Sequence, residues 1–217
     1  TNMTLMLTPE LWKGMYAATA SGTKLPETDP TMWPRFAIVF LGAFSIGALG
    51  TSLWSGLPTI SEQARVFLRR WSAVSAIVCL PLLAMAGAWA VAAQPESVKS
   101  ALATGLEARL SFAWLASVGV AFLCAVALLA TAKSKSLWIP AIGSASGVVA
   151  LALWTSLRDI VRDLTLLPKG LDIWANPVNT NWLVVGLFLG SLVAGIAIVI
   201  WLLVVVSRAT PPENSHA

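Results

Sequence analysis

Charged residues are scarce in this sequence: Asp, Glu, Lys and Arg make up 11% of its 217 residues, against 57% hydrophobic. A soluble domain carries about 25% charged residues. With a mean hydropathy of +0.78, a water-soluble fold of this length has too little interior to hide its apolar surface, because much of a small domain faces solvent. Lipid is therefore the expected solvent. Histidine is scarcer still. The single one, His216, stands next to the end of the chain, so two-histidine haem ligation within this chain is excluded.

The other groups that do chemistry in membranes are equally thin. Met3, Met6, Met15 and Met32 precede the first long apolar run; only Met85 lies inside one, where it reads as core packing. Cys79 and Cys124 each sit in an apolar run and read as small hydrophobes in packed helices rather than as a disulfide. There is no Cys-x-x-Cys, no covalent-haem motif and no phosphate loop. No ionisable residue lies centrally in an apolar run, whereas ion paths, proton relays and cofactor sites in membranes are marked by such residues. A self-contained enzyme or proton pump is not expected. No catalytic, cofactor-binding or metal-ligating residue is assigned, and any haem or quinone is expected to belong to partner subunits.

What is present is a repeated membrane pattern. Five uncharged runs, at 36–54, 71–93, 112–132, 137–157 and 182–207, are each long enough to cross about 30 Å of hydrocarbon. Tryptophans mark many of their ends (Trp33, Trp54, Trp71, Trp89, Trp138, Trp154, Trp182, Trp201), as in an interfacial belt. The fold class is all-α: an integral membrane helical bundle of about five transmembrane helices plus one or two interfacial helices. Its parts are an external segment 1–34, a membrane domain 35–207 with an outer loop 158–181, and a flexible cytoplasmic tail 208–217.

The net charge is +4 and the isoelectric point about 9.4. The basic residues are scattered between apolar runs and form no stripe, so anionic lipid headgroups are a better-matched partner than nucleic acid. Arg65, Arg69 and Arg70 in the first loop, Lys133 and Lys135 in the third, and Arg208 after the last run place six positive charges on one side, against Glu62 and Glu213. The other side balances eight positive charges with eight acids over longer segments. The positive-inside rule puts the first group in the cytoplasm, with the amino terminus outside. No signal peptide leads the polar amino-terminal stretch, so either this short tail is translocated unaided or, the reading preferred here, further helices precede Thr1 in the same gene product or stand in a partner chain.

Two outer segments carry helix signals. Thr8, Pro9 and Glu10 read as a helix start, followed by an apolar face (Leu11, Trp12, Met15, Tyr16) and a stop at Gly22. Leu157, Ile160, Val161, Leu164 and Leu167 recur at helical spacing, with Arg158, Asp159, Arg162 and Asp163 on the other face as local ion pairs, up to Pro168-Lys169-Gly170. Both read as interfacial helices or as extensions of membrane helices. The sharper reading of the Arg158–Asp163 face is contact with an extramembrane redox subunit or a quinone headgroup. Gly143/Gly147 and Gly186/Gly190, with Gly42, Gly47 and Gly50, predict close helix packing, and Pro81 predicts a kink.

Residues 1–9, Asp29-Pro30, Trp33-Pro34-Arg35-Phe36, the helix with Gly47 ending at Trp54, and Ala64-Arg65-Val66-Phe67-Leu68-Arg69-Arg70 resemble subunit I of cytochrome bd-type quinol oxidases, over about the first 95 residues. Members of that family carry a haem-ligating histidine shortly after the Arg/Lys-Phe pair; here Ala37-Ile38-Val39 stand there. The family's quinol-binding loop and acidic proton-channel residues have no counterpart. The resemblance implies a degenerate, haem-free relative. It points to an accessory, cofactor-free membrane subunit of a respiratory or other electron-transfer complex in a bacterial inner membrane, anchoring redox subunits such as cytochromes and forming part of a quinone site. The alternatives are a small membrane transporter or lipid-facing protein without a redox partner, and a pigment-binding antenna subunit.

Overall fold

The computed structural model describes Gly14, Ala17 and residues 30–105, 107–172, 174–175 and 182–208. The described residues form six α-helices and no strand: α1 (Met32–Trp54), α2 (Glu62–Ala92), α3 (Glu96–Thr104), α4 (Ala108–Ala130), α5 (Trp138–Leu166) and α6 (Trp182–Arg208). All but α3 are long and apolar enough to cross a membrane, so the chain is an all-α, multi-pass membrane protein. The helix expected after Pro9 lies outside the described residues except at Gly14 and Ala17, which are helical. The tail 209–217 and most of the loop before Trp182 also lie outside them. Thr1–Ile173 form one compact unit and Trp174–Ala217 a second.

The first unit is an up-and-down four-helix ring. Helix α1 packs most extensively on α2, α5 on α4, and α2 on α4, while α1 closes the ring against α5. In lipid, apolar contact alone gives little preference for helix over solvent, so close approach of small side chains has to hold the helices together. The inward seam of α2 is accordingly rich in small residues, Ser72, Ala73, Ala76, Ala86, Gly87 and Ala90, with Leu80 and Leu83 between them. Gly143 and Gly147 perform the role read from their spacing. A Cβ on Gly143 would stand 3.1 Å from the Cys124 Cβ and 3.4 Å from Leu49 Cδ2, and one on Gly147 3.0 Å from Leu49 Cδ1. Leu49 of α1 thus occupies the notch, and Ser144 Oγ donates to the Leu49 carbonyl at 3.0 Å between the same helices. Cys79 and Cys124 are free thiols and half-buried.

Gly87 opens a second notch, for the Trp114 ring, whose Cη2 lies 2.5 Å from where a Cβ would be. Trp114 in turn meets Trp154 with ring centroids 5.7 Å apart. Trp154 therefore belongs to the helix interface, not only to the interfacial belt. Trp33, Trp71, Trp89 and Trp138 are exposed, as lipid-facing indoles should be. Met85 corrects the reading from sequence: it is 67% exposed on the outer face of α2. The reason is phase, since Leu83, Ala86 and Gly87 take the inward positions around it. Gly42, Gly47 and Gly50 likewise face open space and seat no neighbouring helix of this unit.

Two helices overrun the bilayer. A span needs about 20 residues, whereas α2 has 31 and α5 has 29. Helix α2 is capped by Ser61, whose Oγ accepts from the Ala64 N–H at 3.3 Å. The first loop read from the sequence is therefore shorter than expected, and Arg65, Arg69 and Arg70 are helical. Helix α2 then runs through Pro81 without interruption. At the opposite end of the bundle, α5 continues past Leu157 without a break. Its amphipathic stretch is an extension of the membrane helix, closed by a 3-10 turn (Leu167–Lys169) and Gly170 in the left-handed region at φ 77°. The short helix α3, which the sequence pattern did not reveal, buries Val98 and Leu102 against the same end. In the second unit, α6 carries no charged residue between Trp182 and Ser207.

Replacing Gly147 with Leu forces out Leu49 and is expected to cost about 1–3 kcal/mol of stability. Gly47→Leu, on the open face of α1, should stay within about 0.5 kcal/mol. Thermal or SDS unfolding of the purified variants in detergent checks both.

Candidate functional site

Polar groups gather at the two ends of the ring, and the ends are built differently. At the end where α1 finishes, α2 starts and α4 passes to α5, the two arginines in phase with the inward seam are buried: Arg69 is 1% exposed and Arg65 8%. Side chains on a helix lean toward its N-terminus, which carries both guanidinium groups toward the loops. Arg69 ties those loops together. Its Nε donates to Ser55 Oγ at 3.2 Å, Nη2 to the Ser136 carbonyl at 3.0 Å, and Nη1 to the Ser134 carbonyl. Ser55 uses its own proton on the Ser52 carbonyl at 2.6 Å, leaving a lone pair for Arg69. Gly56 completes the joint, because a Cβ there would run into the Leu137 side chain.

Arg65, one turn earlier, is held only by Nη2, which donates to the Ile60 carbonyl at 3.2 Å. Its Nε and Nη1 are buried without an acceptor, and so is the Trp54 indole N–H. Arg70, Lys133 and Lys135 are exposed around the same end, and Glu62 is its one described acid. Every acceptor named for Arg65 and Arg69 is neutral: carbonyl or hydroxyl oxygen supplies hydrogen bonds but no compensating charge.

The opposite end is charge-paired. On the α5 extension, Asp159 Oδ1 lies 3.6 Å from both Arg158 Nη2 and Arg162 Nη1, and Arg162 Nε donates to Asp163 Oδ1 at 3.1 Å. The local pairing read from the spacing is therefore present, with the i,i+3 pair Asp159–Arg162 as its centre. Beneath it, Leu157 joins the core and Ile160, Val161 and Leu164 pack on it. The strip thus forms a ledge fixed to the bundle rather than a free loop. On α3, Lys99 and Glu96 add an exposed pair at 2.8 Å.

Of the residues singled out from sequence, Arg158, Asp159, Arg162 and Asp163 are brought together. The burial of Arg65 and Arg69 was missed. The signal that could have revealed it is their register, four residues apart and in step with Ser72 and Ala76 of the small-residue seam. As topology markers alone, the two arginines read as loop charges. Among the described residues no group of three or more His, Cys, Asp or Glu is placed to hold a metal ion. Comparison with protein-family models, with curated proteins and with solved structures finds no match for this chain.

Arg69→Ala removes the donor shared by two loops and is expected to lower stability by about 2–4 kcal/mol, as loss of several hydrogen bonds to one charged group. Arg70→Ala, at an exposed neighbour, should change stability by less than about 0.5 kcal/mol. Unfolding midpoints of the two variants, measured side by side, check the difference.

Proposed function

We propose that this chain is an accessory membrane subunit of an electron-transfer complex. In this reading it binds no haem or metal of its own, anchors redox subunits and contributes one wall of a quinone site. The observation that carries the proposal is the Arg158–Asp163 ledge, an ordered, internally paired charge strip fixed beyond the apolar part of α5. Paired charges on a rigid element favour orientation and selection of a partner over raw affinity. The oxidase-like pattern around Trp33-Pro34-Arg35-Phe36 and residues 64–70 supports a redox assembly as the context. The side chains at the histidine position of that pattern support a non-catalytic role, since Ile38 is packed into the core and Val39 faces outward.

The proposed setting is a bacterial inner membrane, with the ledge outside and the Arg65–Arg69 end in the cytoplasm, following the bias of basic residues. Haem, iron–sulfur or quinone groups then belong to the neighbouring chains, and the ledge is where an extracytoplasmic subunit docks.

Purification of the chain from its native membranes should recover a haem- or iron–sulfur-bearing partner, detected by absorbance and mass spectrometry. Recovery of the chain alone rejects the proposal. Reversing the ledge with Arg158→Glu and Arg162→Glu together should reduce the recovered partner by about tenfold or more, with insertion in the membrane unchanged. Substrate-dependent flux by the isolated chain in proteoliposomes would favour the transporter reading instead.

A further inference from the structure

We propose that the end of the bundle formed by Trp54, Arg65 and Arg69 binds the phosphate headgroup of an anionic phospholipid. Two guanidinium groups one helical turn apart are buried there at 8% and 1% exposure. The pairs Lys99–Glu96, Arg158–Asp159, Arg162–Asp159 and Arg162–Asp163 lie elsewhere, on α3 and on the α5 ledge, and among the described residues no acid pairs with Arg65 or Arg69. Buried cations are ordinarily paired, because removing an uncompensated charge from water is costly. Arg69 has its hydrogen bonds satisfied by Ser55, Ser134 and Ser136 but not its charge. Arg65 has neither: Nε and Nη1 lack acceptors, and beside this end the Trp54 indole N–H lacks one too. A monoanionic phosphodiester offers several acceptor oxygens for the open Arg65 donors and one negative charge, which offsets one of the two buried positive charges.

Location favours a lipid over a free anion. Helix α2 exceeds a bilayer span by about ten residues, and its surplus first turns, Glu62 to Arg70, carry the two arginines at headgroup level. Leu57, Phe67 and Trp71 are exposed around these turns and offer apolar surface to acyl chains. Arg70, Lys133 and Lys135 add a surrounding positive field that attracts anionic headgroups. The Arg65 guanidinium makes one hydrogen bond, to the Ile60 carbonyl, and shares no acceptor with the Arg69 joint, so engaging a headgroup would cost that one bond. The inference is independent of the electron-transfer reading and survives its failure.

The test is native mass spectrometry and thermal unfolding of the full chain in detergent, supplied with phosphatidylglycerol, phosphatidylcholine or inorganic phosphate. Wild type should retain phosphatidylglycerol in preference to phosphatidylcholine and unfold at a higher temperature with it. Arg65→Gln should weaken that retention by about tenfold, whereas Lys99→Ala, on α3 at the opposite end of the bundle, should hold it within about twofold. Equal retention of the two lipids by wild type overturns the proposal, and that comparison needs no variant to fold. So does full retention by Arg65→Gln. Equal stabilisation by inorganic phosphate alone overturns the lipid assignment. If Arg65→Gln does not fold, Arg65→Lys, which keeps the charge, should bind more weakly than wild type; unchanged binding counts against Arg65 as the contact.

Discussion

The first unit depends on one close fit, Leu49 of α1 seated against Gly143 and Gly147 of α5. Between helices immersed in hydrocarbon, exchanging lipid for protein gains little, so shape has to supply what solvent exclusion supplies in water. The Gly143–Gly147 step lets Leu49 reach the α5 backbone at van der Waals distance, and Ser144 converts that proximity into an interhelical hydrogen bond to the Leu49 carbonyl. This contact closes a ring whose other sides are the α1–α2, α2–α4 and α4–α5 packings. The Gly87–Trp114 fit does the same work between α2 and α4 with the sizes reversed, a large ring entering where a side chain is missing.

Much of this was legible in the sequence. Runs without charge set the helices, and the Gly143/Gly147 spacing marked a close approach that the structure contains. The misreadings share a physical cause: uncharged runs report where hydrocarbon lies, not where a helix begins or ends. Helix α2 therefore starts nine residues before Trp71, at Glu62, and α5 ends nine residues after Leu157, at Leu166. Met85 reads as an interior residue from sequence because methionine commonly fills cores. In lipid the outward face is equally apolar, so residue type does not separate inside from outside and only register does. Helix α3 escaped notice because nine residues with one buried pair, Val98 and Leu102, give too short a period to stand out.

The two ends of the ring follow opposite electrostatic strategies. On the α5 extension each acid meets a base and the field largely cancels, leaving a polar surface of defined shape. At the start of α2 the positive charges outnumber a single acid, Glu62, and the interior ones rest on neutral oxygens. The sequence carried this contrast in the distribution of its acids. What it did not carry was the depth of Arg65 and Arg69, because depth is set by how α1, the α4–α5 loop and α2 come together in space.

The contact between Trp114 and Trp154 gives the bundle a built-in optical reporter. Two tilted indoles with centroids 5.7 Å apart couple their electronic transitions, whereas the exposed tryptophans of α1 and α2 do not share such a neighbour. Because one ring belongs to α4, the other to α5, and the first is seated on Gly87 of α2, the near-ultraviolet circular dichroism of this pair follows the mutual alignment of three helices. A slip of any one of them alters the signal even while total helix content stays the same.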